Sequence, residues 1–366
     1  MTFNDSVYMP VDAGGSMRGV ALGGTFKTRD GKFYDSTGAF LVGELERLDN
    51  TPHPPLMATT WGRDIDLRED VTIADEVSSY TVASFGSSES LGQGYGPGYG
   101  GSWGGKDSNQ IGGVSVDIAK VVHNLNLWYK EIKYTIPELE SSAKLGRPID
   151  QYKYDAMRMA YEMQVDQCVY VGSTEIGTTG LANATRVVTP PSGGVAASYV
   201  YALPNGASGS ALFTKKSPDE ILGDFNYMLT QVWKQSGNAL MPNRILLPPA
   251  QFGYLSTAKI SQAGNVSILK YIKENNIRNA AGEGGLEIYP AKWLVGAGSG
   301  GTLGTAGAYD RAVVYTKDKF RVRFPMTALQ RTPIQYDSIY HKTTYYCRLG
   351  SIETPYPETI GYFDGL

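Results

Sequence analysis

Several groups of residues in this 366-residue chain have types and spacings that could support chemistry. Gly296, Gly298 and Gly301 match the G-x-G-x-x-G pattern of a dinucleotide site and follow a strand-like segment, Trp293 to Val295. Such a site needs a helix opening at the third glycine, whose N-terminus carries the pyrophosphate. Here the chain continues TLGTAGAYD over 302–310, with further glycines and no amphipathic period, so the stretch reads as a plain loop. Gly96, Gly98 and Gly101 repeat the pattern within a glycine-rich stretch, again without a helix after it. Asp64, Asp66, Glu69 and Asp70 could hold a divalent cation, with Asp64 and Asp66 on one strand face. Arg63 and Arg68 interleave with them, which favours a solvated strand face. His53, His123 and His341 lie far apart and have no E-x-x-H or H-x-H neighbour, so zinc has little support. Cys168 with His123, or Cys347 with His341, would be the nucleophile–base pairs. Cys168 falls on an apolar helical pattern, where a buried, inert thiol is expected. No catalytic, cofactor-binding or metal-ligating set emerges, and an enzyme with a nucleotide or metal site is the weakest reading.

Composition narrows the class. Hydrophobic residues make up 42% and charged residues 19%, as in a folded protein somewhat poor in charge. The formal net charge of -3 offers no basic footprint for sequence-specific nucleic-acid binding. Two cysteines are too few for a disulfide framework. No apolar run approaches the ~18–20 residues of a membrane span, and the N-terminus lacks a secretory pattern. Folding in a cytoplasm is expected. The 25 tyrosines suit half-buried surfaces and interfaces.

The elements that must position these residues follow from periodicity. Residues 1–36 read as an arm without sustained period, and 37–49 as a short amphipathic helix ended by TPHPP. Residues 60–84 and 114–134 alternate like strands. Between them, 11 of the 28 residues from 86 to 113 are glycine, with Tyr95, Tyr99 and Trp103 among them. A two-stranded ribbon of this kind is marginal alone and needs another surface, such as a second subunit. A short helix from Pro137 to Leu145 stops at Gly146, and a long one runs from Pro148 to Val171, ended by Gly172. Its expected apolar stripe is Ile149, Tyr152, Ala156, Met159, Met163 and Val171, with Ala160 and Cys168 beside it.

Residues 184–213 read as a β-rich insertion. Ser217-Pro218-Asp219-Glu220 is a capping box opening a helix closed at Gly237. A strand at Arg244 to Leu247, helices at 250–257 and 267–275, and strands at Leu286 to Tyr289 and Trp293 to Val295 complete an αβ alternation. From Asp310 the chain is strand-rich, with runs at Ala312 to Tyr315, Phe320 to Phe324 and Thr343 to Cys347. The fold class is α+β.

This order of parts resembles the major capsid proteins of tailed bacteriophages, which have the Hong Kong 97-type fold. The local wording carries it: ELERLD at 44–49, YTIPELESSAKLGRPID at 134–150, GLAN at 180–183, RILLPPAQFGYL at 244–255 and VVYTKDKFRVRFP at 313–325. The resemblance implies an N-arm with the start of the short helix over 1–43, and entry to the peripheral (P) domain over 44–69. It implies an extended E-loop over 70–122 with its tip at 86–113. The P domain would follow over 123–183 with a spine helix at 148–171, the axial (A) domain over 184–308, and return strands to the P domain with the tail over 309–366. It implies a non-enzymatic subunit that assembles with its own copies, as pentamers and hexamers, into an icosahedral shell around double-stranded DNA. Implied partners are a portal protein, scaffold, decoration proteins and packaged DNA bound without sequence specificity. No cofactor and no membrane are implied; the implied location is the virion, with assembly in the host cytoplasm.

Tyr95, Tyr99, Trp103 and Lys106 are the implied inter-subunit contacts at the tip. Some members cross-link such a lysine to an asparagine, but no partner for Lys106 matches by motif. Some carry a cleaved scaffolding segment; with about 43 residues ahead of Glu44, none is expected here. The nearest alternative on the same fold is the encapsulin-like shell of a bacterial nanocompartment.

Overall fold

The computed structural model describes residues 53–87, 114–146, 148–184, 199–260, 264, 266–298 and 310–366, with the backbone of 26–27 and 33–34. Two compact units divide the chain, residues 1–58 and 59–366. In the first, β1 (Phe26–Lys27) pairs antiparallel with β2 (Phe33–Tyr34). The expected helix over 37–49 lies outside the described residues, as do most of the arm and of the glycine-rich tip.

The second unit opens with one turn, α1 (Trp61–Asp64), then β3 (Asp66–Arg68). Two 11-residue strands, β4 (Val77–Ser87) and β5 (Val114–Asn124), pair without a break from Val77↔Asn124 to Ser87↔Val114. At ~3.3 Å per residue each arm of this ribbon is ~36 Å long. β6 (Asn126–Thr135) runs into α2 (Ile136–Leu145). Thr135 and Glu138 form a capping box there, and Gly146 closes the helix at φ 65°, where a side chain would be strained.

Next comes α3 (Ile149–Tyr170), ~33 Å long. Its buried stripe is Met157, Tyr161, Val165, Cys168 and Val169. The expected stripe was out of phase: Ala156 and Met163 are exposed. Burial begins only where β6 covers the helix, with Trp128 and Tyr161 rings 5.2 Å apart. Methionine and alanine tolerate a helix surface, so they were poor markers of the covered face.

Short β7 (Gly172–Ser173) and β8 (Thr178–Thr179) form a tight hairpin. A Cβ at Gly172, φ 80°, would sit 2.2 Å from the Thr178 carbonyl oxygen. β9 (Val200–Ala202) precedes α4 (Pro218–Gln235), which has the expected capping box on Ser217 and Glu220. Then follow β10 (Arg244–Leu247), α5 (Pro249–Thr257), β11 (Lys259–Ile260), β12 (Val266–Ser267), α6 (Ile268–Glu274), α7 (Ile277–Ala280) and β13 (Glu287–Pro290). The expected strand at Trp293 to Val295 is a 3-10 turn, Lys292–Leu294. Pro290 cannot donate to a ladder, and the Trp293 indole N–H turns to Asp166 Oδ2 at 2.7 Å.

The C-terminal strands are β14 (Arg311–Tyr315), β15 (Arg323–Pro325), β16 (Gln330–Arg331), β17 (Gln335–Asp337), β18 (Tyr340–Leu349) and β19 (Ile360–Asp364). They separate into two groups. β14 and β19 join a mixed sheet ordered β13-β10-β14-β19-β9. β18 pairs along its whole length with β6 on one edge and with β16 and β17 on the other.

The mixed sheet is buried on both faces. Leu246, Val313, Tyr315 and Tyr362 point into a core with the second half of α3. Ile245, Leu247, Ala312, Val314 and Phe363 point into a second core with α4, α5 and α6. Period-2 alternation thus makes one sheet the shared wall of two cores, each buried side chain contributing ~1.5–3 kcal/mol.

Candidate assembly surfaces

The residues expected to do chemistry are dispersed. Asp64 is not on a solvated face: it is fully buried, because α1 turns it inward beneath Arg63, Arg244 and Tyr170. Arg63 grips its carboxylate through Nε and Nη2, both at 2.7 Å, and the Tyr170 hydroxyl donates to Oδ2. Arg68 pairs with Asp70 at 2.8 Å, and Lys317 with Asp66 at 3.4 Å. Asp64, Asp66 and Asp70 are therefore each paired with a cation, and no group of three metal-ligating side chains occurs among the described residues. Asp166, also buried, accepts from the Thr60 and Trp61 amides at 2.9 and 3.2 Å and ties α1 to α3.

Neither cysteine–histidine pair forms a site. Cys347 lies in the α3 core, and burial pushes its thiol up to about 12. Cys168 is raised by burial as well. His341 sits six residues from Cys347 along β18, ~20 Å away in an extended strand, with its ring 4.6 Å from that of Tyr336. His123 stacks on Tyr80 at 5.8 Å. Of the G-x-G-x-x-G loop, Gly296 donates its amide to Asp310 Oδ1 at 2.9 Å, and 299–309 lie outside the described residues. Tyr95, Tyr99, Trp103 and Lys106 lie outside them too.

The structure instead presents apolar surface on extended elements. Along β5, Val116, Ile118 and Val122 alternate on one face and are 52%, 70% and 52% exposed. Leu127 and Tyr129 on β6, with Ile334, Tyr336 and Ile339 around β17, are exposed as well. Leu145 at the end of α2 adds another. Between α2, α3 and β18 lies an open groove of about 1110 Å³, lined by Leu139, Tyr154, Leu329, Ile334 and Tyr345 among others.

The root of the ribbon, by contrast, is tightly held. Glu353 is fully buried and receives Arg323 Nε at 2.7 Å, Arg68 Nη1 at 3.2 Å to each oxygen, and the Ser78 hydroxyl. Arg68 also donates to the Ser79 carbonyl at 3.1 Å. Its guanidinium is held further above the usual range, first by the hydrogen bond to Asp70 and then by the charge of Glu353. Arg348 donates to the carbonyls of Ile73 at 2.7 Å and Leu125 at 3.0 Å, on either side of the ribbon. These side chains come from separate strands, and no local motif marks them. Among the signals available in sequence, the alternation of Val114, Val116 and Ile118 pointed to the ribbon, and nothing pointed to its clamp.

A subunit with an arm-length ribbon, apolar faces left open on extended strands and neutralised buried charges is built for assembly: it is a shell-type structural protein. The family model of the major capsid protein matches residues 100–366, and the chain belongs to that family. It is thus a major capsid protein, a structural part of a virion. No curated protein matches it in sequence. The capsid of Myoviridae phage XM1 is similar, at 13% identity and TM-score 0.68, over 90% of this chain and 99% of that one. The capsid of a native GTA particle matches at 12% identity and TM-score 0.56, over 90% and 97%. The SrpI encapsulin of Synechococcus elongatus PCC 7942 matches at 13% identity and TM-score 0.51, over 88% and 93%. These likenesses establish the Hong Kong 97-type fold.

Proposed function

We propose that this chain builds the icosahedral head of a tailed double-stranded DNA phage as pentamers and hexamers of itself, assembled in the host cytoplasm. The ribbon carries the reading: 11-residue strands with an open apolar stripe have no use in an isolated subunit. As the E-loop, spanning 70–122, it lies across a neighbouring subunit. α3 is the spine helix of the P domain, together with β6 and β18. The A domain is the lobe around α4, and its sheet takes in β14 and β19 beyond residue 308. Portal, scaffold and decoration proteins act on the assembled lattice, and DNA is enclosed without sequence readout, in keeping with a net charge of -3. The stretch holding Tyr95, Tyr99, Trp103 and Lys106 supplies contacts at the far end of the ribbon.

The test is deletion of 88–110, which leaves Ile111, Gly112 and Gly113 as a three-residue hairpin loop between Ser87 and Val114. The expected product is folded and assembly-defective; normal particles would refute the E-loop assignment. A nanocompartment is the second reading, since the encapsulin shares the fold. Imaging of particles from producing cells separates the two. DNA-filled heads with one special vertex support the phage, and small, uniform, protein-filled shells support the nanocompartment.

A further inference from the structure

We infer that the buried Glu353 clamp sets the angle at which the ribbon leaves the body, and so selects the neighbour and register it reaches before any contact is made. The inference rests on the reading of the ribbon as an inter-subunit element. Glu353 is locked to β15 by two backbone bonds, its amide to the Arg323 carbonyl at 2.9 Å and the Arg323 amide to its own carbonyl at 3.1 Å. Its carboxylate, held by Arg323 and Arg68, therefore has a fixed position on the body. From there it accepts the hydroxyl of Ser78, the second residue of β4. Arg68 reaches the next residue through the Ser79 carbonyl, and the Tyr80 hydroxyl donates to the Thr354 carbonyl at 3.3 Å.

Among the described residues the grip thus ends at Tyr80. Thr81 and Ala83 on β4, and 116–120 on β5, are exposed. A ribbon held at Ser78, Ser79 and Tyr80 near its root, with exposed residues further out, is a lever. Turning a ~36 Å arm by ~10° moves its end by ~6 Å, more than the ~4.8 Å between neighbouring strands. A small error at the root would place the apolar stripe one register away on the neighbour. Apolar packing alone would let the root slide. A buried carboxylate cannot slide without losing hydrogen bonds that the interior does not replace. Fixing direction is the use to which this arrangement of charges is suited.

The test compares full-length Glu353→Gln with Asp224→Asn, which disturbs an equally buried ion pair, Lys216 with Asp224 at 2.5 Å, in the other core. Melting temperature, closed-shell yield and diameter, and hydrogen exchange at 77–82 are read for both. Glu353→Gln is expected to speed exchange at 77–82 and to reduce closed shells, each ~10-fold or more, while Asp224→Asn at a matched melting temperature closes shells normally. Normal shells from Glu353→Gln overturn the inference, as does equal loss of shells in Asp224→Asn, which would make the role merely structural. Should Glu353→Gln not fold, Ser78→Ala removes one hydroxyl and no charge. It is expected to loosen the same amides and misassemble, and its normal assembly would overturn the inference equally. If the 88–110 deletion closes normal shells, it is the ribbon reading that fails. If only that deletion blocks closure, the clamp inference fails alone.

Discussion

Ile118→Thr tests the apolar stripe most directly. Ile118 is 70% exposed on β5, next to Val116 on the same face, with Lys120 on its other side and Val122 beyond it. Threonine keeps the β-branch, so the strand itself is preserved. Burying an isoleucine in full contributes ~1.5–3 kcal/mol, so covering the exposed part of this one is worth roughly 1–2 kcal/mol, most of it lost with threonine. Each subunit presents one ribbon, so this difference enters once per subunit added. Because ~1.4 kcal/mol is tenfold in an equilibrium constant, the critical concentration for shell growth should rise about 5- to 30-fold. Light scattering across a dilution series, with sedimentation to separate shells from subunits, measures it. The melting temperature of the unassembled subunit should stay within about 2 °C, since an exposed surface change rarely exceeds ~0.5 kcal/mol. An unchanged critical concentration would show that the stripe stays wet in the shell. A fall of several degrees in the subunit would show that the stripe is already covered by its own chain. Either result refutes the reasoning.

Three further outcomes follow from the interior. Asp64→Asn leaves Arg63 and Arg244 facing a neutral group inside the α1–α3 junction, and should destabilise the subunit by ~3–5 kcal/mol in urea titration; a loss below ~1 kcal/mol would show the charge is dispensable. Cys347, with its thiol near 12, and Cys168, also raised by burial, should resist alkylation at about pH 8 until denaturant is added, and fast labelling of the native chain would contradict their burial. Glu220 is held below its ordinary 4.5, first by the Ala207 amide and then by Ser217, so its contribution is complete above pH 4.5 and is lost as pH falls through its lower folded value. Glu220→Gln should therefore flatten the urea midpoint below about pH 4.5 relative to the parent, and parallel curves would refute the assignment.

Local chemistry explains which elements were legible. Ser217-Pro218-Asp219-Glu220 announces a helix start through capping groups near in sequence, and that cap is present; the cap of Thr135 with Glu138, seen in the structure, is equally local. Arg244 to Leu247 reads as a buried strand because both of its faces are covered. The errors fall where distant partners decide. Trp293 turns out of line to meet Asp166, 127 residues away. Asp64 is drawn inward by Tyr170 and Arg244, 106 and 180 residues away. Spacing within a window carries no information about such contacts, so a charge that looks solvated can be the most buried group of its segment.

The assembly surface was legible in a different sense, through a mismatch between pattern and supply. Val114, Val116 and Ile118 alternate as in a strand with one dry face, yet β5 pairs with β4 and with no third strand among the described residues. Two strands joined edge to edge cover each other's hydrogen bonds but neither of their faces. An apolar face of that kind has to be dried by something stacked on it, and at its outer end Val116 and Ile118 remain open in the single chain. The drying surface then belongs to another molecule. For a chain of the capsid family the available molecule is a further copy of itself. A stripe on a two-stranded ribbon is thus evidence for a neighbour, whereas the same stripe on a strand of the five-stranded sheet is evidence only for a core.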